Sequence, residues 1–104
     1  MAIPHAAKGE VVSLPRLDGA DRSTTLVKTE QFQAIHLVVP AGTSIPPHSV
    51  AGQTTFQCLK GRVELAFGGR TVTLGAGDWL YLDRGEEHAV EGVDDSALLL
   101  TILF

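Results

Sequence analysis

Short runs of β-branched or alternating apolar residues recur along the chain, and turn-forming residues separate them. The runs lie at Thr24–Lys28, Gln31–Val39, Thr54–Leu59, Arg62–Phe67, Arg70–Leu74, Trp79–Leu82, His88–Val90 and Ser96–Phe104. Gly68-Gly69, between two of the runs, is a strong signal for a two-residue hairpin turn. No window shows a helical period with caps. Short, regularly spaced strands with glycine-rich turns predict an all-β sandwich or barrel.

The first 23 residues lack this regular pattern. Residues 1–8 are predicted to be a loose arm, and Glu10–Leu14 a short strand that Pro15 ends or confines to a sheet edge. Residues 17–23, rich in Asp and Gly, are predicted to be a loop. A chain of 104 residues fits one domain. We therefore predict a single domain, with 1–23 as N-terminal arm and edge strand and 24–104 as the barrel.

Two strands carry more apolar surface than a small barrel covers alone. Gln31–Val39 is apolar at nearly every position after Gln33, and the chain ends in LLLTILF. A strand that does not alternate is usually buried on both faces, or on one face and at a subunit interface. We therefore expect a homodimer, with twofold symmetry as the default arrangement.

Composition and charge exclude several classes of partner. Hydrophobic residues make up 44% of the chain and charged residues 19%, which is a globular balance. The formal charge is -4 and no cluster of Lys and Arg is present, which argues against nucleic acid. The apolar runs are too short to span a membrane, and the start of the chain lacks a signal-peptide pattern. With a single cysteine, Cys58, the chain is predicted to be cytoplasmic.

Two blocks of the chain carry the candidate chemistry. The first, GTSIPPHSVAGQTTFQCLKG at 42–61, contains His48, and the second, GDWLYLDRGEEHAV at 77–90, contains His88. The blocks resemble the two motifs of the cupin superfamily. The resemblance covers residues 32–104 and implies a double-stranded β-helix, the jelly-roll barrel of the RmlC-like proteins. It also suggests a homodimer, since many small cupins are homodimers.

The first cupin motif is G, five residues, H-x-H, three or four residues, E, six residues, G. Gly42, His48 and Gly61 match it in register, but Val50 stands at the second histidine and Thr54 at the glutamate. The second motif is G, five residues, P-x-G, two residues, H. There Gly77, Gly85 and His88 match, and Asp83 replaces the proline.

These departures fall on the metal ligands of the family. Metal-binding cupins use both histidines and the glutamate of the first motif and the histidine of the second, so the resemblance leaves only His48 and His88 here. Valine cannot bind a metal, and a threonine hydroxyl is a poor ligand. Two imidazoles bind metal weakly without a third ligand and supporting hydrogen bonds.

Two side chains are candidates for a third metal ligand. Gln53 would offer its carbonyl if its strand bulged, and His36 would contribute if its ring pointed into the barrel. The cofactor, if any, is expected to be a divalent iron, manganese, nickel or zinc ion that is bound weakly or not at all.

The resemblance also outlines a pocket. If the family's ligand positions face inward, alternation along the strand places Phe56 and Cys58 beside Thr54. The predicted ligand pocket comprises His48, Val50, Thr54, Phe56, Cys58, His88 and Val90. Its histidines are either neutral, hydrogen-bonded remnants of a lost site or part of a working pocket. Phe56 and Cys58 are either barrel core or pocket wall, and nothing in the sequence lowers the pKa of Cys58.

Other features leave the function open. Trp79 and Tyr81 share one face of their strand, and the pattern does not say whether that face is inner or outer. No catalytic residue is assigned, and three functions remain. The chain binds a small molecule in the barrel with no or weak catalysis, or it is a metal-dependent dioxygenase or isomerase using His48 and His88, or it is a structural or regulatory dimeric module.

Overall fold

A computed structural model describes residues 5–17 and 22–104 of the protein. Its strands are β1 Thr24–Lys28, β2 Phe32–Val39, β3 Ser44–His48, β4 Gln53–Lys60, β5 Arg62–Phe67, β6 Arg70–Gly75, β7 Trp79–Leu82, β8 His88–Gly92 and β9 Ser96–Leu103. A five-stranded sheet has the order β1-β2-β9-β4-β7, and a four-stranded sheet has the order β3-β8-β5-β6. All strand pairs are antiparallel. The predicted all-β jelly-roll fold is confirmed.

The core lies between the two sheets. Thr54 pairs with Ile102, and Phe56 pairs with Leu100. All four side chains are buried, so this face of the five-stranded sheet is its inner face, and the alternate positions point outward. From the four-stranded sheet, Val63 and Leu65 fill the space opposite.

The five-stranded sheet shows where Trp79 and Tyr81 lie. In the register of β7 against β4, Leu80 and Leu82 pair with the inward-facing Phe56 and Thr54. Trp79 and Tyr81 therefore lie on the outer face, where each is 58% exposed. Their ring centroids are 6.1 Å apart.

The predicted strand at Glu10–Leu14 was wrong. Residues 10–13 have no regular structure, and a short 3-10 helix spans Leu14–Leu17. Pro15 has no N–H to give to a sheet and its fixed φ suits a helical turn. The described part of the arm instead contacts the barrel where the Ala6 amide donates to the Leu26 carbonyl, at 2.7 Å. Of the predicted loop at 17–23, residues 18–21 lie outside the described residues.

Strand β3 was not predicted, and it contains Pro46 and Pro47. Two prolines argue against a central strand, but β3 lies at the edge of the four-stranded sheet, where an N–H on the free side is not needed. His48 is the last residue of this strand. Within the described residues, no helix is long and apolar enough to cross a membrane.

Candidate functional site

His48 and His88 meet at one end of the four-stranded sheet. They are direct cross-strand partners in the β3–β8 pair. Between Ile45 and His48, β3 has one residue more than its partner, which is a β-bulge. The bulge falls on Pro46-Pro47 and returns His48 to the inner face that Ile45 occupies. The ring centroids of the two histidines are 4.4 Å apart and their planes are tilted by 59°.

Backbone carbonyls hold both rings in the same tautomer. Nδ1 of His48 lies 3.1 Å from the Pro46 carbonyl oxygen, and Nδ1 of His88 lies 3.1 Å from the Glu86 carbonyl oxygen. A carbonyl oxygen only accepts, so in each neutral ring Nδ1 carries the proton and Nε2 keeps its lone pair. The site therefore presents two Nε2 atoms as hydrogen-bond acceptors or ligands.

The two rings differ in burial. His48 is exposed, whereas His88 is 3% exposed. Burial lowers the pKa of His88 below its ordinary value, because the charged form loses its water. The hydrogen bond to the Glu86 carbonyl opposes this shift, and the neighbouring His48 adds to it. His88 is therefore a neutral acceptor near neutral pH.

Phe56, Phe67 and Arg70 complete the surroundings of His88. The Phe56 ring meets the His88 ring edge to face, with centroids 5.2 Å apart. Phe67 is the cross-strand partner of His88 on β5, and Arg70 is the partner of Phe67 on β6. The Arg70 guanidinium lies over the Phe67 ring, 5.7 Å from its centroid. The mouth of the barrel is thus a row of His48, His88, Phe67 and Arg70.

The sequence did not mark Phe67 or Arg70 as site residues. Both flank the Gly68-Gly69 turn, and the cupin motifs do not include them. Only the cross-strand register brings them into the row with His88. A hairpin prediction with the turn centred on Gly68-Gly69 would have paired Phe67 with Arg70, but not with β8.

Below this row the barrel is apolar. The next residues across the inner face of the four-stranded sheet are Ile45, Val90, Leu65 and Val72. Val90 and Leu65 are buried, and Ile45 and Val72 pack against the same core. Val90, a predicted pocket residue, therefore forms the floor of the mouth.

Thr54 places a hydroxyl in the same interior. Its side chain is 2% exposed and faces inward, two residues before Phe56. Among the described residues, none forms a hydrogen bond with the Thr54 Oγ1. A buried hydroxyl normally has a partner. An inward hydroxyl without one leaves a hydrogen-bonding position open at the place of the cupin glutamate.

Val50 and Cys58 lie at opposite ends of the predicted pocket. Val50 is half-buried, and its carbonyl accepts from the Gly85 amide at 2.9 Å, which ties the two motif blocks together. Cys58 lies deep in the core, where its thiol donates to the Lys60 carbonyl at 3.4 Å. Burial, and then the charge of Asp78, raises the pKa of the Cys58 thiol. A raised pKa leaves less of the nucleophilic thiolate at neutral pH.

Neither candidate for a third metal ligand joins the histidine pair. Gln53 pairs with Leu103 and His36 pairs with Leu99, and these positions alternate with the inward-facing ones. Both side chains therefore lie on the outer face of the five-stranded sheet, and the Gln53 amide contacts Asp83 at 3.5 Å. Because neither side chain points into the barrel, neither Gln53 nor His36 completes a metal site with the two histidines.

The donor set does not fit the metal centre of the family. Within the described part of the chain, no three His, Cys, Asp or Glu side chains come close enough to hold an ion together. Val50 and Thr54 occupy two of the four ligand positions. The site holds two imidazoles and one hydroxyl, a set better suited to hydrogen bonding than to a divalent ion.

Two open clefts lie outside the barrel, on the outer face of the four-stranded sheet. Their volumes are about 530 and 330 Å³, and Ala66, Ala89, Thr71 and Pro47 line both. Glutamates border both clefts, with Glu86 and Glu87 at the first and Glu64 and Glu91 at the second. The larger cleft reaches the mouth, since His88, Phe67 and Arg70 also line it.

Solved structures share this fold. The conserved SPY1581 protein of unknown function from Streptococcus pyogenes is 21% identical, with a TM-score of 0.83 over 99% of this chain and 94% of its own. The cupin superfamily protein DSY2733 from Desulfitobacterium hafniense is 19% identical, with a TM-score of 0.84 over 100% and 99%. TT1209 from Thermus thermophilus is 19% identical, with a TM-score of 0.78 over 90% and 96%. At these identities the likeness establishes the fold alone.

Sequence comparison adds the family. No curated protein matches the chain significantly. The family model described as the cupin domain matches residues 35–104, which contain both motif blocks. With that match, the jelly-roll architecture and the register of His48 and His88, the chain belongs to the cupin family, as a small member whose metal-binding motif is degenerate.

Proposed function

We propose that the protein binds a small organic molecule at the barrel mouth, with no or weak catalysis. The observation that carries the proposal is the Thr54 hydroxyl, which is buried, faces inward and lacks a hydrogen-bond partner among the described residues. Leaving such a group unsatisfied costs about 1–3 kcal/mol. A bound molecule would recover this cost and would also meet the Nε2 atoms of His48 and His88.

The way the histidines are held supports binding over catalysis. A histidine that acts as a strong base usually donates its second N–H to a carboxylate, which raises its basicity. Both rings donate to backbone carbonyls instead. Burial lowers the pKa of His88 further, which makes it a weak base. These features suit a fixed acceptor better than a proton-transfer group.

A fragment screen by two-dimensional amide NMR tests the proposal. The protein is first treated with a chelator, so that binding does not depend on an adventitious metal. We expect hits to shift the amide signals of Thr54, Gly85 and His88, and Thr54→Val to weaken them. Hits confined to Ala66 and Ala89 in the outer clefts, or no hits at all, would count against a site at the mouth.

A second candidate function, a structural or regulatory dimeric module, rests on a different observation. Trp79 and Tyr81 expose 58% of their surfaces side by side on the outer face of the five-stranded sheet. Leu103 on β9 and the terminal Phe104 are also exposed, at 42% and 58%. We propose that a second copy of the chain covers this surface, a twofold arrangement that sedimentation measurements can test.

A further inference from the structure

We infer that the barrel mouth selects an uncharged molecule carrying two adjacent hydroxyl groups, a vicinal diol or a catechol, with one hydroxyl donating to each imidazole. The inference rests on the proposed function, since it names the ligand class of the same site. It depends on the chemistry of the atoms that His48, His88 and Thr54 present, and on their spacing.

The two imidazoles offer two hydrogen-bond acceptors. Each ring is anchored through Nδ1 to the carbonyl two residues before it, at 3.1 Å in both cases. Each Nε2 therefore offers one lone pair and no proton. A ligand that meets both atoms must bring two N–H or O–H donors.

The two imidazole rings also lie close together. The ring centroids of His48 and His88 are 4.4 Å apart, so one end of a small molecule can reach both rings. Adjacent hydroxyl oxygens in a diol are separated by roughly one hydrogen-bond length, about 2.8 Å. Two such oxygens can each donate to a separate ring from one end of a small molecule. Donors placed far apart on a molecule cannot do this.

The groups around the two rings favour an uncharged ligand over an anion. An anion would direct its lone pairs at the lone pair on Nε2 of the neutral His88. The Glu86 carboxylate is near enough to His88 to act on its pKa, and it would repel an anion further. The Arg70 guanidinium lies at Phe67, one strand further from the imidazoles, and an uncharged donor avoids both penalties at the rings themselves.

The side chains near the histidines indicate the chemistry of the rest of the ligand. Phe56 packs against the His88 ring at 5.2 Å, and Val50, in the loop between β3 and β4, is half-buried. These side chains favour an apolar body behind the hydroxyl pair. The Thr54 hydroxyl can donate or accept, so it can bond to either oxygen.

Catechol and its methyl ethers provide a matched test. Catechol has two adjacent donors, guaiacol has one, and veratrole has none, while the aromatic body is the same. At neutral pH a phenol is uncharged, since its pKa is about 10. We would titrate chelator-treated protein with each compound and follow the Thr54 and His88 amide signals.

Each lost donor should weaken binding about 3- to 10-fold, the range for a neutral hydrogen bond. Catechol should therefore bind tightest and veratrole weakest. In His48→Phe, which removes one acceptor and keeps a ring at an exposed position, the advantage of catechol over guaiacol should disappear. His5→Gln, an exposed histidine of the arm, serves as the control and should keep that advantage.

Four outcomes would overturn the inference. Veratrole binding as tightly as catechol, or an unchanged catechol advantage in His48→Phe, would show that the imidazoles do not select donors, although binding at Thr54 and His88 would still support the proposed function. Catechol binding that needs added metal would show that an ion bridges ligand and protein. If none of the three compounds shifts the site, the diol class is wrong, and the fragment screen decides the proposed function separately.

Discussion

A buried hydroxyl without a hydrogen-bond partner is a cost to folding, and Thr54, which has none among the described residues, carries that cost in the barrel interior. Valine has nearly the same shape and no polar atom to satisfy. We expect Thr54→Val to raise the free energy of unfolding by about 1 kcal/mol, and the Tm by roughly 4–8 °C for a domain of this size. Calorimetry measures the Tm.

The matched control for this prediction is Thr55→Val. Thr55 pairs with Thr101 on the outer face and is half-buried, so the same change there should leave stability nearly unaltered. A destabilised Thr54→Val protein would mean that the hydroxyl has a partner in solution, such as a bound water. Stabilisation together with loss of fragment binding is the result that links the orphan hydroxyl to function.

The second residue-scale prediction concerns His88 and acid. Its folded pKa is lowered by burial, so the unfolded chain takes up the proton first as pH falls. The folded state is therefore favoured fully above the unfolded pKa of about 6.5. This contribution is lost as pH falls from there through the lowered folded value.

Chemical denaturation between pH 7.5 and 5 measures this loss. The His88→Phe variant keeps a ring against Phe56 and removes the titrating group, so its stability should fall less with acid than that of the wild type. His5→Gln should behave as the wild type does. Parallel curves for His88→Phe and the wild type would contradict a lowered pKa at His88.

Two of the turns between strands contain a glycine with the same φ angle, but the surroundings of the two glycines differ. Gly61, between β4 and β5, and Gly69, between β5 and β6, both have φ of 77°. A Cβ on Gly69 would meet open space, whereas a Cβ on Gly61 would overlap Ser96 Oγ and the Asp95 carbonyl. The backbone cost of alanine is thus the same, and only Gly61 adds a steric cost.

We expect Gly69→Ala to lower the free energy of unfolding by about 1–2 kcal/mol, the cost of a left-handed L-residue. Gly61→Ala should cost about 1–3 kcal/mol more, because the overlap must be relieved. It would also disturb Ser96, whose hydroxyl accepts from the Arg62 amide at 2.8 Å. Urea unfolding of both variants gives the comparison, and equal losses would refute close packing at Gly61.

Strands could be predicted from the sequence where the pattern of the strand's own residues was sufficient. Alternation located β6, and propensity located β1. It failed at β3, because Pro46-Pro47 signals a turn unless one knows that the strand is at an edge. The bulge that brings His48 inward depends on pairing with β8, which lies about forty positions away along the chain, and no local pattern carries that information.

At the scale of the whole molecule, the outer face of the five-stranded sheet is the surface on which self-association depends. Trp79 and Tyr81 stand next to each other there. If a second copy covers them, Trp79→Ser together with Tyr81→Ser should shift a dimer towards monomer at micromolar concentration. Sedimentation velocity measures the shift.

A variant elsewhere on the surface provides the control. Val93 is 41% exposed in the turn before β9, and Val93→Ser should leave the assembly unchanged. Trp79 is the only tryptophan in the chain, so its fluorescence should also move to longer wavelength when a dimer is diluted. A wild-type monomer at micromolar concentration would refute the dimer.

Some residues of the site could be predicted from the sequence and others could not. The motif register placed His48, Thr54 and His88 in one barrel, since glycine spacing survives where ligands are replaced. The outward direction of His36 was not predictable, because its strand is apolar on both faces and alternation is hidden. Phe67 and Arg70 became site residues only through the pairing of β5 with β8, a contact that depends on the closed fold.

The most direct test of the account is the protonation of the two imidazoles, measured by long-range ¹⁵N–¹H NMR of the ring nitrogens at neutral pH. We predict that Nδ1 is protonated and Nε2 unprotonated in both His48 and His88, and that both Nε2 signals shift when catechol is added. Protonated Nε2 atoms, or Nε2 signals indifferent to every ligand that binds the mouth, would contradict a site built on two fixed acceptors.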